Sequence, residues 1–185
     1  MKLETLDKLF TDELKDLYSA EAQLLRALPK MAKAASSETL RTAFETHAEE
    51  TEVQKQRLDK IGELCDIKLN GKKCVAMEGL IEEGKEILQA DGPGPVIDAA
   101  LIGAAQRVEH YEISAYGTAR ALAEQLGYAD AVALLDETIM EEGETDHKLT
   151  KIAEQEIYPA VSRETSDGSN GSAGRTESKA TAKAK

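Results

Sequence analysis

The thirty residues from Asp66 to Pro95, DIKLNGKKCVAMEGLIEEGKEILQADGPGP, decide the fold. They separate two long stretches of helical periodicity and contain too much chain for a tight turn. Asn70-Gly71 marks a turn, a short helix is predicted over Met77–Ala90, and Asp91-Gly92-Pro93-Gly94-Pro95 ends it. A connection of this kind is long enough to cross a bundle from end to end, so the helices on either side of it run parallel.

Working outward, apolar residues recur at Leu3, Leu6, Phe10, Leu14, Leu17, Leu24, Leu28 and Met31, which predicts one helix over Leu3–Ala35 with a single buried face. Pro29 is expected to bend it. Ser36-Ser37 supplies a turn and an N-cap, and Leu40, Phe44, Leu58, Ile61 and Cys65 mark the buried stripe of the next helix. Beyond the crossover, helices are predicted over Val96–Leu126 and Ala129–Tyr158, with a break at Gly127-Tyr128. Two tight turns and one long crossover define an all-α, ferritin-like up-down-down-up four-helix bundle over residues 1–160, with a short extra helix in the crossover. The rest, 161–185, is rich in Ser, Gly and Lys without apolar periodicity and is expected to be a disordered tail.

Composition agrees with one helical domain. The chain has 185 residues, 41% hydrophobic and only 4% aromatic, with no Trp. Its net charge is -12; residues 162–185 carry five Lys/Arg against three Asp/Glu, so the body holds 18 against 32, or -14. Such a body repels phosphates, which argues against a nucleic-acid partner. No apolar run approaches the roughly 18 residues of a membrane span, and the opening residues lack the apolar core of a secretion signal. A cytoplasmic protein without a membrane partner is expected. Cys65 and Cys74 lack metal-motif spacing and read as free thiols in preference to a bridge across the short loop between them.

The chemistry lies in acidic residues on the apolar stripes. Glu21 and Glu50 are centred on the Ser36-Ser37 turn, and Glu112 and Glu142 on Gly127, each about 22 Å from its turn at roughly 1.5 Å per residue. Four carboxylates are thus expected to meet at mid-bundle. Bare, they would lose hydration and repel one another, so either protons or bound cations must offset the cost. His47 and Glu109, one turn before Glu50 and Glu112, and Asp146, one turn after Glu142, are expected to form a second layer. Hard oxygen donors with one nitrogen suit two iron or manganese ions. Taken singly, each Glu also reads as a side chain reaching solvent, His47 as a hydrogen-bonded core residue, and Asp146 as a support for the ligands. Glu144 and His147 fit a Glu-x-x-His spacing, but Glu144 points away from Glu142 and the pair is set aside. His110 reads as a surface or interface residue. Tyr18 and Tyr111 lie beside the ring, to bond its ligands or to pack.

Tyr18-Ser19-Ala20-Glu21, His47-Ala48-Glu49-Glu50-Thr51, Cys74-Val75-Ala76-Met77-Glu78-Gly79-Leu80 and Val108-Glu109-His110-Tyr111-Glu112 together resemble the YciF/YciE stress-response family of the ferritin-like superfamily. The resemblance covers residues 3–158. It implies a bacterial bundle, often a homodimer, acting under osmotic or oxidative stress. It supports Glu21, Glu50, Glu109, Glu112 and Glu142 as metal-site positions, with His47 in addition. Most ferritin-like sites carry Glu-x-x-His on two helices, whereas Val53 and Thr145 stand at those His positions here. Two functions stay open: a redox enzyme acting on peroxide, dioxygen or ferrous iron, and a non-catalytic metal-binding stress protein acting through protein partners.

Overall fold

The computed structural model describes residues 4–163. Helices α1 (Leu6–Ala34), α2 (Glu38–Leu64), α3 (Val75–Gln89), α4 (Gly94–Leu126) and α5 (Ala129–Ile152) follow in order. Their ends have local causes. The Thr5 and Ser37 hydroxyls accept the N–H groups of Lys8 and Leu40, both at 3.2 Å, and Cys74 Sγ accepts that of Met77 at 3.3 Å. Each satisfies a donor that a helix start leaves orphaned. Gly127, at φ +79°, caps α4 in a left-handed conformation that costs glycine no Cβ clash, and Tyr128 N–H returns to the Ala123 carbonyl at 3.0 Å.

α1 continues unbroken through Pro29 to Ala34, and one detail differs from expectation. After Ile152 the chain makes one π turn, Ala153–Ile157, in which Tyr158 N–H bonds the Ala153 carbonyl, and then stays helical through Arg163. Pro159 accounts for the wide turn, since its ring has no donor and would clash with the carbonyl one turn back. Residues 161–163, expected in the tail, therefore belong to the helix; the remainder of that tail lies outside the described residues.

Side-chain pairs along the chain give the directions. Asp98 meets Ser36, Tyr116 meets Glu21, and Tyr128 stacks on Phe10 with ring centroids 5.6 Å apart, so α1 and α4 are antiparallel. Ser37 bonds Glu156, and Arg57 grips Glu141 with both terminal nitrogens at 2.5 Å, so α2 and α5 are antiparallel too. Combined with the two hairpins, this is the expected up-down-down-up order. α3 packs on α1 and α4. Its start is pinned: Cys74 N–H donates to Ser19 Oγ at 2.9 Å, Gln23 Nε2 donates to the Cys74 carbonyl at 3.0 Å, and the Tyr111 hydroxyl sits 2.9 Å from Cys74 Sγ and donates to Asp16 at 2.6 Å. Cys65 and Cys74 are both free thiols.

Buried positions recur three and four residues apart, as in Phe10, Leu14, Leu17, Glu21, Leu24, Leu28 and Met31 of α1. This is the stripe of helices packed at a shallow angle. The apolar core divides in two, one cluster around Leu28, Phe44 and Leu101 and the other around Phe10, Leu58 and Leu135.

Candidate metal centre

Where the two apolar clusters meet, the stripes turn polar. α1 contributes Glu21, α2 His47, α4 Glu109 and Glu112, and α5 Glu142, none more than 3% exposed. His47, Glu109, Glu112 and Glu142 can each offer one atom such that all four atoms lie within 4.8 Å of one another. His47 Nε2 stands 3.3 Å from Glu109 Oε1, and Nδ1 stands 3.6 Å from Glu50 Oε2. The Tyr116 hydroxyl donates to Glu21 Oε1, and Thr51 Oγ1 donates to the His47 carbonyl at 2.8 Å. Gln54, buried beside them, donates to Glu141 at 3.2 Å.

The electrostatics follow from burial. Desolvation raises the Glu21 carboxyl to about 7, against the hydrogen bond from Tyr116 and the nearby imidazole, which lower it. Burial, then the charges of Glu21 and Glu142, pushes Glu112 well up; burial, then Glu109, does the same to Glu142. Burial alone would lower His47, but the carboxylates around it, Glu109 first and then Glu50 and Glu142, together outweigh that and raise it well above an ordinary histidine.

Of the seven sequence-predicted ligands, five come together: Glu21, His47, Glu109, Glu112 and Glu142. Two do not. Glu50 stands at the rim with its side chain 41% exposed, held low in pKa by the His47 imidazole. The inward stripe of α2 runs Leu40, Phe44, His47, Thr51, Gln54, Leu58, Ile61, and Glu50, one residue short of Thr51, lies about 100° around the helix from it. Asp146 instead accepts from Gln106 Nε2 at 2.9 Å and faces His110 at 3.5 Å. On α5 the stripe runs Leu135, Thr138, Glu142, Thr145, Leu149, so Thr145 takes the inward place and Asp146 turns toward α4. His110 is an exposed residue, as expected.

Tyr116 was not among the expected residues. Tyr111 pins the crossover, and Tyr18 lies half-buried under Lys55 Nζ, 4.8 Å from its ring centre. A signal existed: Tyr116 follows Glu112 by four residues and continues the α4 stripe to Ala119 and Ala123.

The residues fit a bound cation. Among the described residues, the buried side-chain polar atoms without a hydrogen-bond partner are Glu21 Oε2, both nitrogens of His47, Gln54 Oε1, Glu109 Oε2 and both oxygens of Glu112 and of Glu142. All belong to this one layer. Buried polar atoms are nearly always paired, so such a concentration points to a missing positive partner. A small cleft lined by His47, Glu50, Glu109, Thr145 and Lys148, about 10 Å³ in volume, leads toward it.

An up-down-down-up bundle with a buried layer of carboxylates and one imidazole defines the class: a ferritin-like helical protein. The chain belongs to the family described as "Domain of unknown function (DUF892)", which matches residues 5–162. It is 53% identical over 154 residues to Protein YciF of Escherichia coli (strain K12), covering 83% of this chain and 93% of that protein. The crystal structure of that E. coli stress protein aligns with a TM-score of 0.79 over 81% of this chain and 95% of the other. YcfI of Rhodopseudomonas palustris also aligns at 0.79, with 39% identity over 82% and 97% of the two chains. A Xanthomonas campestris protein, 18% identical, shares the fold at 0.69 over 87% and 99%. The expected family and fold are thus the observed ones, and the chain is a relative of a stress protein. Among the described residues no helix is long and apolar enough to cross a membrane.

Proposed function

We propose that this is a cytoplasmic, homodimeric stress-response protein whose buried layer holds two iron or manganese ions and acts on peroxide, dioxygen or ferrous iron. The observation that carries the reading is the set of unpaired buried atoms on His47, Glu109, Glu112 and Glu142, with Glu21 beside them. Those four residues would bind the ions, and Glu21 would complete the layer from α1. Iron or manganese, when bound, supplies Lewis acidity and one-electron redox chemistry. The chain's own contribution is placement and exclusion of water. Tyr116 orients Glu21 by its hydrogen bond, the Arg57–Glu141 pair holds α2 and α5 in register, and the two apolar clusters cover the layer from both sides. Glu50 and Lys148 flank the cleft, where the carboxylate would meet an incoming cation.

The narrowness of that cleft, with room for about one water, favours a second reading in which the site holds metal without turnover and the protein acts through partners. One set of measurements separates the readings. Purified protein is assayed for iron and manganese by elemental analysis, and wild type and Glu142→Ala are compared for peroxide consumption. Two ions per chain with peroxide consumption lost in the variant supports the enzyme. Bound metal with equal, background rates supports the holding role, and no metal under any loading condition removes both. Light scattering tests the dimer, which a monomer mass overturns.

A further inference from the structure

α3 is lightly seated. Of its residues only Met77 and Gly84 are buried, although Leu80, Ile81 and Leu88 face the core. Beneath it, between α1 and α4, lies a cavity of about 290 Å³, floored by Leu24, Met31, Ala104 and Val108. That is near the lower end of the roughly 300–1,000 Å³ of small-ligand sites. Gly84 lies on its wall, and a Cβ built there would meet nothing within 4 Å. In mid-helix glycine is the least favourable residue after proline, so the backbone here forgoes helical stability beside room that any small side chain could enter.

The charge around this cavity is opposite to that of the protein. The chain carries 35 acidic residues against 23 Lys and Arg, yet the charged residues lining the cavity are Arg26, Lys30, Lys73 and Lys85 against Glu78 alone. Lys73 pairs with Glu78 and Lys85 with Glu82, while Arg26 and Lys30, one turn apart on α1, make no ion pair among the described residues. An apolar floor with two unpaired cations at its edge is complementary to a molecule with a flexible apolar body and one anionic end.

The geometry points to a binding site for a free medium-chain acyl carboxylate, its chain under α3 against Leu24, Leu88 and Val108 and its carboxylate at Arg26 and Lys30. Neither the carboxylate cluster nor any metal enters this assignment. A bare apolar ligand would leave the two cations unused. A phospholipid headgroup would need the chain to leave a membrane, and nothing on α3 offers a wide apolar face for one.

The full chain is titrated calorimetrically with dodecanoate, below the concentration at which it self-assembles, and with dodecanol. Saturable one-to-one binding of dodecanoate is expected, with dodecanol weaker by about tenfold, the worth of two exposed charge contacts. Gly84→Leu, which fills the space, should abolish binding while leaving the far-ultraviolet circular dichroism unchanged. Arg26→Glu with Lys30→Glu, both at exposed positions, should weaken dodecanoate by at least about tenfold and leave dodecanol alone, and this pair keeps the test decisive if Gly84→Leu fails to fold. No saturable dodecanoate binding, equal affinity for the alcohol, an unaffected charge-reversal variant, or co-sedimentation with anionic phospholipid vesicles in place of dodecanoate binding would each overturn the assignment.

Discussion

Glu112 buries a carboxyl group with neither oxygen hydrogen-bonded, and the carboxyl groups of Glu21, Glu142 and Glu109 push its pKa further up. Without metal it is a cost to the fold. Glu112→Met, similar in volume and without charge, should therefore raise the stability of metal-free protein by about 1–4 kcal/mol, as when buried ionic groups give way to apolar ones. Urea denaturation in chelator measures this, and a loss of stability would show that the group is already well compensated. The same residues set a pH dependence. Glu21 has its pKa raised by burial from 4.5 to about 7, so it binds its proton more tightly in the folded chain. Its contribution is fully present below about pH 4.5 and is lost as pH rises through about 7. Glu112 and Glu142, raised by burial, and His47, raised by Glu109, Glu50 and Glu142 against its burial, have the same sign. Metal-free protein should be less stable at pH 8 than at pH 5, on the order of 3 kcal/mol from Glu21 alone. Saturating divalent metal should reverse the trend, because cations bind the deprotonated ligands. Thermal melts across that range, with and without metal, check both signs.

At the scale of elements, the bundle is clamped where α4 begins. Asp98, buried near the start of α4, accepts the N–H groups of Ser36 and Ser37, each at 2.8 Å, and the Ser36 hydroxyl at 2.6 Å. One carboxylate thereby closes the α1–α2 turn and fixes where the crossover delivers the chain. Asp98→Ala strands two turn amides and should cost about 3 kcal/mol, read as a lower denaturation midpoint with an unchanged slope. Gly94 belongs to the same joint, since a Cβ there would come within 2.8 Å of Ser36 Oγ. At the other hairpin, Gly127→Ala forces a side chain into φ +79° and should cost about 1 kcal/mol; an equal melting temperature would mean that the cap relaxes.

For the molecule as a whole, the polar layer lies between two apolar cores. Cations bound there would join both halves, so metal at a hundredfold excess over its Kd should add about 2.7 kcal/mol, or roughly 5–11 °C in Tm for a domain of this size. Calorimetry of chelated and reloaded protein checks it. A melt indifferent to metal would count against any ion in this layer.

Which elements form, and that the long Asp66–Pro95 connection makes a crossover, followed from the order of apolar stripes and breakers, because helix periodicity and turn chemistry are local. The membership of Glu21, Glu112 and Glu142 in the site was legible for the same reason, each lying on its own stripe. Rotation about each helix axis was not. Glu50 and His47 are one turn apart, as are Glu142 and Asp146, and counting residues from a turn fixes height along the bundle but leaves phase uncertain by a residue or two. Only the packing of α2 against α5, of α5 against α4 and of α1 against α4 decided that Glu50 meets solvent, that Asp146 faces Gln106, and that Tyr116 holds Glu21. Height is a property of chain length, whereas facing is a property of neighbours.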